Sequence, residues 1–158
     1  MAIQNVALIG ASGTLGPSIL HALTASEFTP FVLNRHSSRS VYPKTRVITI
    51  PDDLNVQEVA TLLREKSIDA LVIAIAGSYV EEQKKLIEAA YEGGVKRIIP
   101  ADFGSCDSAD EKTVKLLPLM EGKKRVREYL QSFEVKEREG NRGSLSWTSL
   151  VTGTWTGQ

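Results

Sequence analysis

The sequence has one cysteine, no excess of charge of either sign and no apolar run of membrane-spanning length. Cys106 alone cannot form an internal disulfide, so a reducing compartment is expected. Nineteen Lys and Arg residues balance nineteen Asp and Glu residues, which removes the net field that would attract nucleic acid or an anionic membrane. The longest apolar run, Ala70–Ala76, is far too short to cross a bilayer.

Signals for secretion and for metal binding are also missing. The first residues lack the cationic stretch that precedes the apolar core of a secretory signal. The two histidines, His21 and His36, have no metal-ligand spacing, so no metal site is expected. These absences predict a soluble, cytoplasmic protein without nucleic-acid or membrane partners, and 158 residues suit one domain.

Apolar runs of strand length alternate with stretches of helical period along the chain. The predicted strands are Asn5–Gly10, Phe31–Arg35, Arg46–Ile50, Ala70–Ile75, Arg97–Ala101 and Ser146–Thr152. Helices are predicted from about Thr14, over Asn55–Lys66, over Val80–Glu92 and from about Leu119 to Phe133. Polar loops are predicted at His36–Thr45 and Glu134–Gly143. The fold class is therefore α/β, a doubly wound parallel (Rossmann-like) sheet of about six strands.

A glycine-rich segment follows the first predicted strand and opens the first predicted helix. Its residues are Gly10, Ala11, Ser12, Gly13, Thr14, Leu15 and Gly16. Glycines allow backbone N–H groups to approach a pyrophosphate, and a helix N-terminus favours negative charge. The G-x-x-G-x-x-G spacing in this context favours dinucleotide binding, although an ordinary turn between strand and helix is the alternative.

The end of the second strand distinguishes between NAD and NADP. An NAD site usually has an acidic side chain there, whereas this chain has Asn34 and Arg35. A guanidinium suits a 2′-phosphate, so NADP(H) is the predicted cofactor. The alternative is that Arg35 and Arg39 are solvated loop charges. Gly77 ends the fourth strand, where small residues admit a nucleotide or simply pack well.

Lys123 occupies the apolar stripe of the last predicted helix. The other members of the stripe are Leu119, Val126 and Leu130. The basic neighbours expected on other faces are Lys124, Arg125 and Arg127. Periodicity therefore turns Lys123 inward, where it could serve as a general acid or base, unless its ammonium snorkels to the surface.

Several of these segments together resemble the NmrA-like family, which includes isoflavone reductases and phenylcoumaran benzylic ether reductases. The resemblance rests on Gly10–Gly16, Arg35, Val95–Gly104 (VKRIIPADFG), Lys123 and Ser146–Val151 (SWTSLV). It covers nearly the whole chain, and the VKRIIPADFG stretch is its most specific part. The Tyr-x-x-x-Lys pair of classical short-chain dehydrogenases is missing.

The resemblance implies a role for each of these positions. It implies that Gly10–Gly16 binds the pyrophosphate of NADP(H), that Arg35 reads the 2′-phosphate, and that Lys123 is the catalytic acid or base. Lys44 stands where some members have a second lysine that contacts the phosphate. Phe103, in the P-x-x-F-G stretch, is expected beside the cofactor.

The resemblance also implies two functions of different classes. One is an NADP-dependent reductase acting on a small, aromatic substrate. The other is a non-catalytic, NADP-sensing regulator that binds a protein partner, or a truncated form without activity. Family members continue into a C-terminal region that builds most of the substrate pocket, whereas this sequence ends at Gln158. Residues 1–158 are therefore expected to be one cofactor-binding domain, truncated after the sixth strand.

Overall fold

The computed structural model describes residues 2–104, 106–108, 110–139 and 145–153, the side chains of 134–139 excepted. Six parallel strands form one sheet in the order β3-β2-β1-β4-β5-β6. The strands are β1 (Asn5–Ile9), β2 (Thr29–Arg35), β3 (Arg46–Ile50), β4 (Ala70–Ile73), β5 (Arg97–Ile99) and β6 (Ser146–Trp147). The helices are α1 (Gly16–Thr24), α2 (Val56–Glu65), α3 (Val80–Gly93), α4 (Glu111–Leu116) and α5 (Glu121–Glu139).

Helices cover both faces of the sheet, which confirms the doubly wound fold. Consecutive residues of β4 are all buried because each face of that strand has its own apolar cover. On one face, Ile9 and Ile73 pack in a cluster with side chains of α2, α3 and α5. On the other, Leu8 and Val72 pack in a cluster with side chains of α1.

The strand order reverses direction at β1 and β4, which lie side by side. Ile9 at the end of β1 is in register with Leu33 of β2 on one side and Ile73 of β4 on the other. The chain leaves these two central strands toward opposite edges of the sheet, which opens a crevice beyond their carboxyl ends. This crevice positions the candidate site.

The start and end signals of two helices are confirmed. The side chain of Asn55 caps α2 by accepting a hydrogen bond from the Glu58 N–H at 3.1 Å. Gly94 ends α3 in the left-handed conformation, with a φ of 81°. No helix stands in the loop 36–45, as predicted, whereas α1 begins at Gly16 rather than near Thr14.

The chain after β5 differs most from the prediction. Helix α4 and a 3-10 turn at Pro118–Met120 precede α5, and Leu119 lies in that turn with 71% of its surface exposed. Helix α5 then runs to Glu139, so the predicted loop Glu134–Gly143 is wrong over 134–139, while 140–143 lie outside the described residues. Glu, Lys and Arg are strong helix formers, so a polar stretch rich in them can continue a helix rather than end it.

Strand β6 is shorter than predicted, since only Ser146 and Trp147 pair with β5. An isolated parallel bridge between Gly104 and Val151 continues the same edge of the sheet. Within the described ranges, no helix combines the length and the apolar character that a membrane crossing requires.

Candidate functional site

The glycine loop between β1 and α1 folds tightly against the end of β4. Gly10 has a φ of +87°, and a Cβ added there would lie 2.4 Å from the carbonyl oxygen of Ala74. A Cβ at Gly16 would lie 2.0 Å from the carbonyl oxygen of Gly10, so α1 begins in direct contact with the loop. The N–H of Gly13 donates to that same carbonyl at 3.0 Å. Glycine is therefore required at both ends of this turn.

Helix α1 presents its N-terminus without a protein cap. Its N-cap residue, Leu15, makes no side-chain hydrogen bond to the helix, and the first turn contains no acidic residue. Pro17 occupies the first turn, where its missing N–H costs no hydrogen bond. The remaining N–H groups and the helix dipole thus favour an anion at this end of α1.

A cleft of about 490 Å³ lies in the crevice above β1 and β4. It is lined by Gly10, Ser12, Gly13, Thr14, Leu15, Ala74, Ile75, Ala76, Gly77, Tyr79, Ala101, Phe103, Lys123 and Thr152. The structure therefore brings together the glycine loop and three distant predicted residues, Gly77, Phe103 and Lys123. Tyr79 and Thr152 were not predicted, since neither stands in a motif.

Arg35 lies in an adjoining depression of about 300 Å³ at the end of β2. Ser37, Ser38 and Tyr42 line the same depression. The residues that it shares with the main cleft are Gly10, Ser12, Ile75 and Tyr79. Arg35 is thus next to the glycine loop, where the sequence placed it, whereas Arg39 is exposed and lines neither depression.

Asp52 fixes the loop that follows Arg35. The N–H and the hydroxyl of Ser37 both donate to its carboxylate, at 3.0 and 2.7 Å. The N–H of Ser38 closes a turn on the carbonyl of Arg35 at 2.9 Å. The backbone hydrogen bond from Ser37, followed by that from its hydroxyl, lowers the pKa of Asp52 below its usual value. This contact could not be predicted from the sequence, because Asp52 follows β3 and Ser37 follows β2.

Lys44 lies in a third depression, of about 600 Å³, on the α1 side of the glycine loop. This depression shares Ala11, Ser12 and Tyr42 with that of Arg35, but Arg35 itself does not line it. Lys44 is exposed. The structure therefore places the two cations in neighbouring depressions rather than in one pocket.

Lys123 reaches into the main cleft from α5. Only 11% of its side chain is exposed, and its ammonium donates a hydrogen bond to the carbonyl of Phe103 at 3.1 Å. Val126 and Leu130 of the predicted stripe are buried, but Leu119 is not part of it. The inward interpretation of Lys123 is confirmed, and snorkelling to the surface is excluded.

A buried carboxylate, Asp102, lies behind Lys123. Its surface is 2% exposed, and its Oδ1 stands 4.0 Å from the Lys123 ammonium. Arg127 donates to Oδ2 at 2.5 Å, so the prediction that Arg127 faces away from Lys123 is wrong. Residues four apart on a helix share a face, and that spacing was the available signal.

A parallel sheet in this strand order, a glycine turn after β1 and a cleft at the switch point define a Rossmann-type dinucleotide-binding fold. The chain belongs to the NmrA-like family, whose model matches residues 3–137. The oxidoreductase aprR of Aspergillus flavus is 36% identical over 151 residues, which are 94% of this chain and 48% of that protein. The chain thus spans about half the length of this curated relative.

Solved structures with the same fold include a leucoanthocyanidin reductase and AtPrR2. The binary complex of leucoanthocyanidin reductase with NADPH from Vitis vinifera has a TM-score of 0.71 and 22% identity, covering 93% of this chain and 49% of that one. AtPrR2 with NADP+ and (+)pinoresinol has a TM-score of 0.73 and 21% identity, covering 96% of this chain and 50% of that one. At these identities the likeness establishes the fold.

Proposed function

We propose that this chain is the NADP(H)-binding part of an oxidoreductase that reduces a small aromatic substrate. One observation carries the proposal: the cleft at the switch point is bounded by the glycine loop, contains the Lys123 ammonium and adjoins the depression of Arg35. A cleft of this kind offers one site for a pyrophosphate, one for a 2′-phosphate and one for a proton donor.

The residues of the glycine loop fit a pyrophosphate. Gly10 and Gly16 have no side chain at points where the backbone leaves no room for one. An added Cβ would lie 2.4 Å from the Ala74 carbonyl oxygen at Gly10 and 2.0 Å from the Gly10 carbonyl oxygen at Gly16. The uncapped N-terminus of α1 supplies N–H donors and partial positive charge. An anionic diphosphate therefore finds donors here without a competing carboxylate in the first turn of the helix.

The depression at Arg35 fits a phosphate better than a bare ribose hydroxyl. Strand β2 ends in Asn34 and Arg35, and the serines 37 and 38 add hydroxyls beside the guanidinium. The carboxylate that contacts this loop, Asp52, already accepts two hydrogen bonds from Ser37. Arg35 can therefore form charge-assisted hydrogen bonds with a 2′-phosphate.

Lys123 provides the acid–base group of the cleft. Bound NADPH supplies a hydride, and the reduction also consumes a proton. Two ionisable side chains line the described cleft, Tyr79 and Lys123, and Tyr79 is 51% exposed. The Lys123 ammonium is held at the Phe103 carbonyl, so one of its remaining N–H groups can donate a proton to a substrate oxygen in the cleft.

The names of the relatives support the reaction class and the substrate class. The Aspergillus flavus relative is called an oxidoreductase, and AtPrR2 was solved with NADP+ and pinoresinol, which is aromatic. The chain covers about half of each of these proteins. The described residues supply the cofactor cleft and its lysine.

A titration with NADPH tests the cofactor site. In Gly13→Val, a branched side chain replaces a hydrogen where an added Cβ would already lie 3.2 Å from the Gly10 carbonyl. We expect Gly13→Val to weaken NADPH binding by about 10- to 100-fold, the size of one or two lost hydrogen bonds to a charged group. The measurement is the change in NADPH fluorescence on binding.

Thr61→Val is the matched control, because it places the same side chain on the exposed face of α2, away from the cleft. This variant should bind NADPH as the wild type does. A Gly13→Val protein that keeps its circular dichroism spectrum and its NADPH affinity would reduce the glycine loop to a structural turn and overturn the proposal.

A further inference from the structure

The carboxylate behind Lys123 has a role that the cofactor site alone does not explain. We infer that Asp102 is a positioning residue, which holds the Lys123 ammonium at the Phe103 carbonyl with the help of Arg127 and Ser149. The inference rests on the proposed function for the use of Lys123. The evidence for the positioning itself is the set of buried contacts that Asp102 makes.

Asp102 is fixed from several directions at the end of β5. Its Oδ2 accepts from the guanidinium of Arg127 at 2.5 Å and from the hydroxyl of Ser149. Its Oδ1 accepts from the hydroxyl of Ser108 at 3.2 Å. A buried carboxylate with this many donors has one orientation, so the position of Oδ1 relative to α5 is determined.

The two cations on α5, Lys123 and Arg127, face different oxygens of the Asp102 carboxylate. Arg127 takes Oδ2 and also donates to Ser149 at 2.7 Å, which leaves Oδ1 facing the Lys123 ammonium at 4.0 Å. Arg127 has a second carboxylate partner, Asp107, at 2.6 Å, whose side chain is 59% exposed. Asp102 is therefore the carboxylate near the buried ammonium, and Asp107 compensates Arg127 at the surface.

Two glycines make room for the lysine side chain. A Cβ added at Gly104 would lie 2.7 Å from the ammonium nitrogen of Lys123. A Cβ added at Gly77 would lie 3.2 Å from Cε of the same lysine. The side chain thus runs between the loops that follow β4 and β5, and its end is confined by Gly104 and the Phe103 carbonyl.

This confinement fixes the position of the Lys123 ammonium, which burial alone does not do. A lysine side chain has many rotamers, and a proton donor acts efficiently only when it is held close to the productive geometry. Asp102 supplies the attraction, Phe103 supplies a hydrogen-bond acceptor and Gly104 supplies the space. Together they place the ammonium in the cleft before any ligand arrives.

Chemical acetylation of the whole protein tests the inference without a substrate. The rate of acetylation at Lys123 by a water-soluble acetylating ester is followed by peptide mass spectrometry and normalised to the exposed Lys112 in the same sample. The variants are Asp102→Asn, Gly104→Ala and, as a matched control, Asp107→Asn. Asp107→Asn removes the same charge from the same arginine without touching Lys123.

The variants separate positioning from general stability. Asp102→Asn removes the charge that attracts the Lys123 ammonium toward the Phe103 carbonyl, so the amine should become more accessible to the ester and its rate should rise about tenfold. Gly104→Ala displaces only the flexible end of the lysine and should raise it about threefold, the size of one lost hydrogen bond, with the thermal midpoint retained. Asp107→Asn should leave the normalised rate unchanged.

Wild-type rates at Lys123 in both folded Asp102→Asn and Gly104→Ala would overturn the inference, as would an equal rise in Asp107→Asn. If Asp102→Asn does not fold, Gly104→Ala decides. NADPH titration of the same wild-type sample keeps the proposed function separate: a protein that binds no NADPH refutes that proposal, while the Lys123 rates still report the positioning.

Discussion

Each end of the proposed cofactor site combines cationic side chains with a carboxylate, but the two ends differ in how far these groups are exposed to solvent. At the end of β2, Arg35 is half-buried and its loop is fixed by Asp52, an exposed carboxylate bonded to Ser37. At the end of β5, Lys123 and Arg127 have side chains that are 11% and 13% exposed. The cation at the first end is half-buried, and the two cations at the second end are mostly buried.

The difference indicates what each end has to do. A phosphate arrives hydrated and charged, so a partly exposed guanidinium can recognise it, with a strength that falls as salt increases. A proton donor must stay in one place through the reaction, which requires a buried partner such as Asp102. We therefore expect substitutions at the Arg35 end to change cofactor preference, and substitutions at the Lys123 end to change stability and rate.

The largest expected difference between the two ends is in stability. Arg127→Leu leaves Asp102 buried without its closest cation and should lower the free energy of unfolding by about 3 kcal/mol. Arg35→Leu removes a charge from a half-exposed position and should change that free energy by less than about 0.5 kcal/mol. Urea denaturation of both variants measures the two free energies of unfolding. Equal losses of stability in the two variants would contradict the difference between the two ends.

The second expected effect is on rate. Lys123→Met keeps the length of the side chain but removes the ammonium, so NADPH oxidation with pinoresinol or an isoflavone should slow about 100-fold or more. NADPH affinity should change by less than about threefold, the pattern of a group that acts in the transition state.

Lys112→Met, on the exposed face of α4, is the control and should leave the rate unchanged. A Lys123→Met variant as fast as the wild type would contradict the role of the lysine. A wild-type chain that binds NADPH but oxidises it with no aromatic substrate would favour the NADP-sensing alternative.

Much of the fold could be predicted from the sequence because its signals are local. Several of the strand-forming runs, such as those of β1 and β4, are apolar at consecutive positions, as strands covered on both faces are. Helix α4 had no such signal, since none of its residues is buried. The end of α5 was misjudged because Glu134–Glu139 is charged, and charge marks a solvated helix as often as a loop.

The candidate site also has residues whose positions could be predicted from the sequence and residues whose surroundings could not. The glycine loop follows β1 directly and Arg35 ends β2, so their positions could be predicted from the strand order alone. Asp102 could not be understood from its neighbours, because the hydroxyl of Ser149, 47 residues away, and Arg127, 25 residues away, determine its surroundings. Contacts of that separation depend on the packing of α5 against the sheet.

The smallest expected effect is at Asp52. Hydrogen bonds from Ser37 lower its pKa, so they stabilise the loop at pH values above its usual pKa of 3.8 and are lost as the pH falls through the lowered value. Asp52→Asn should reduce the preference for NADPH over NADH by about threefold, as one weakened hydrogen bond does. Asp53→Asn is the control, and an identical loss of preference in both variants would show that Asp52 has no special role.

The most direct test of the whole account is a calorimetric titration of the wild type and of Arg35→Ala with NADPH and NADH at low salt. The wild type should bind NADPH about 10- to 100-fold more tightly than NADH, the size of charge-assisted hydrogen bonds to the 2′-phosphate. Arg35→Ala should lose most of that difference while binding NADH as before. Equal affinities of the wild type for NADPH and NADH would contradict it.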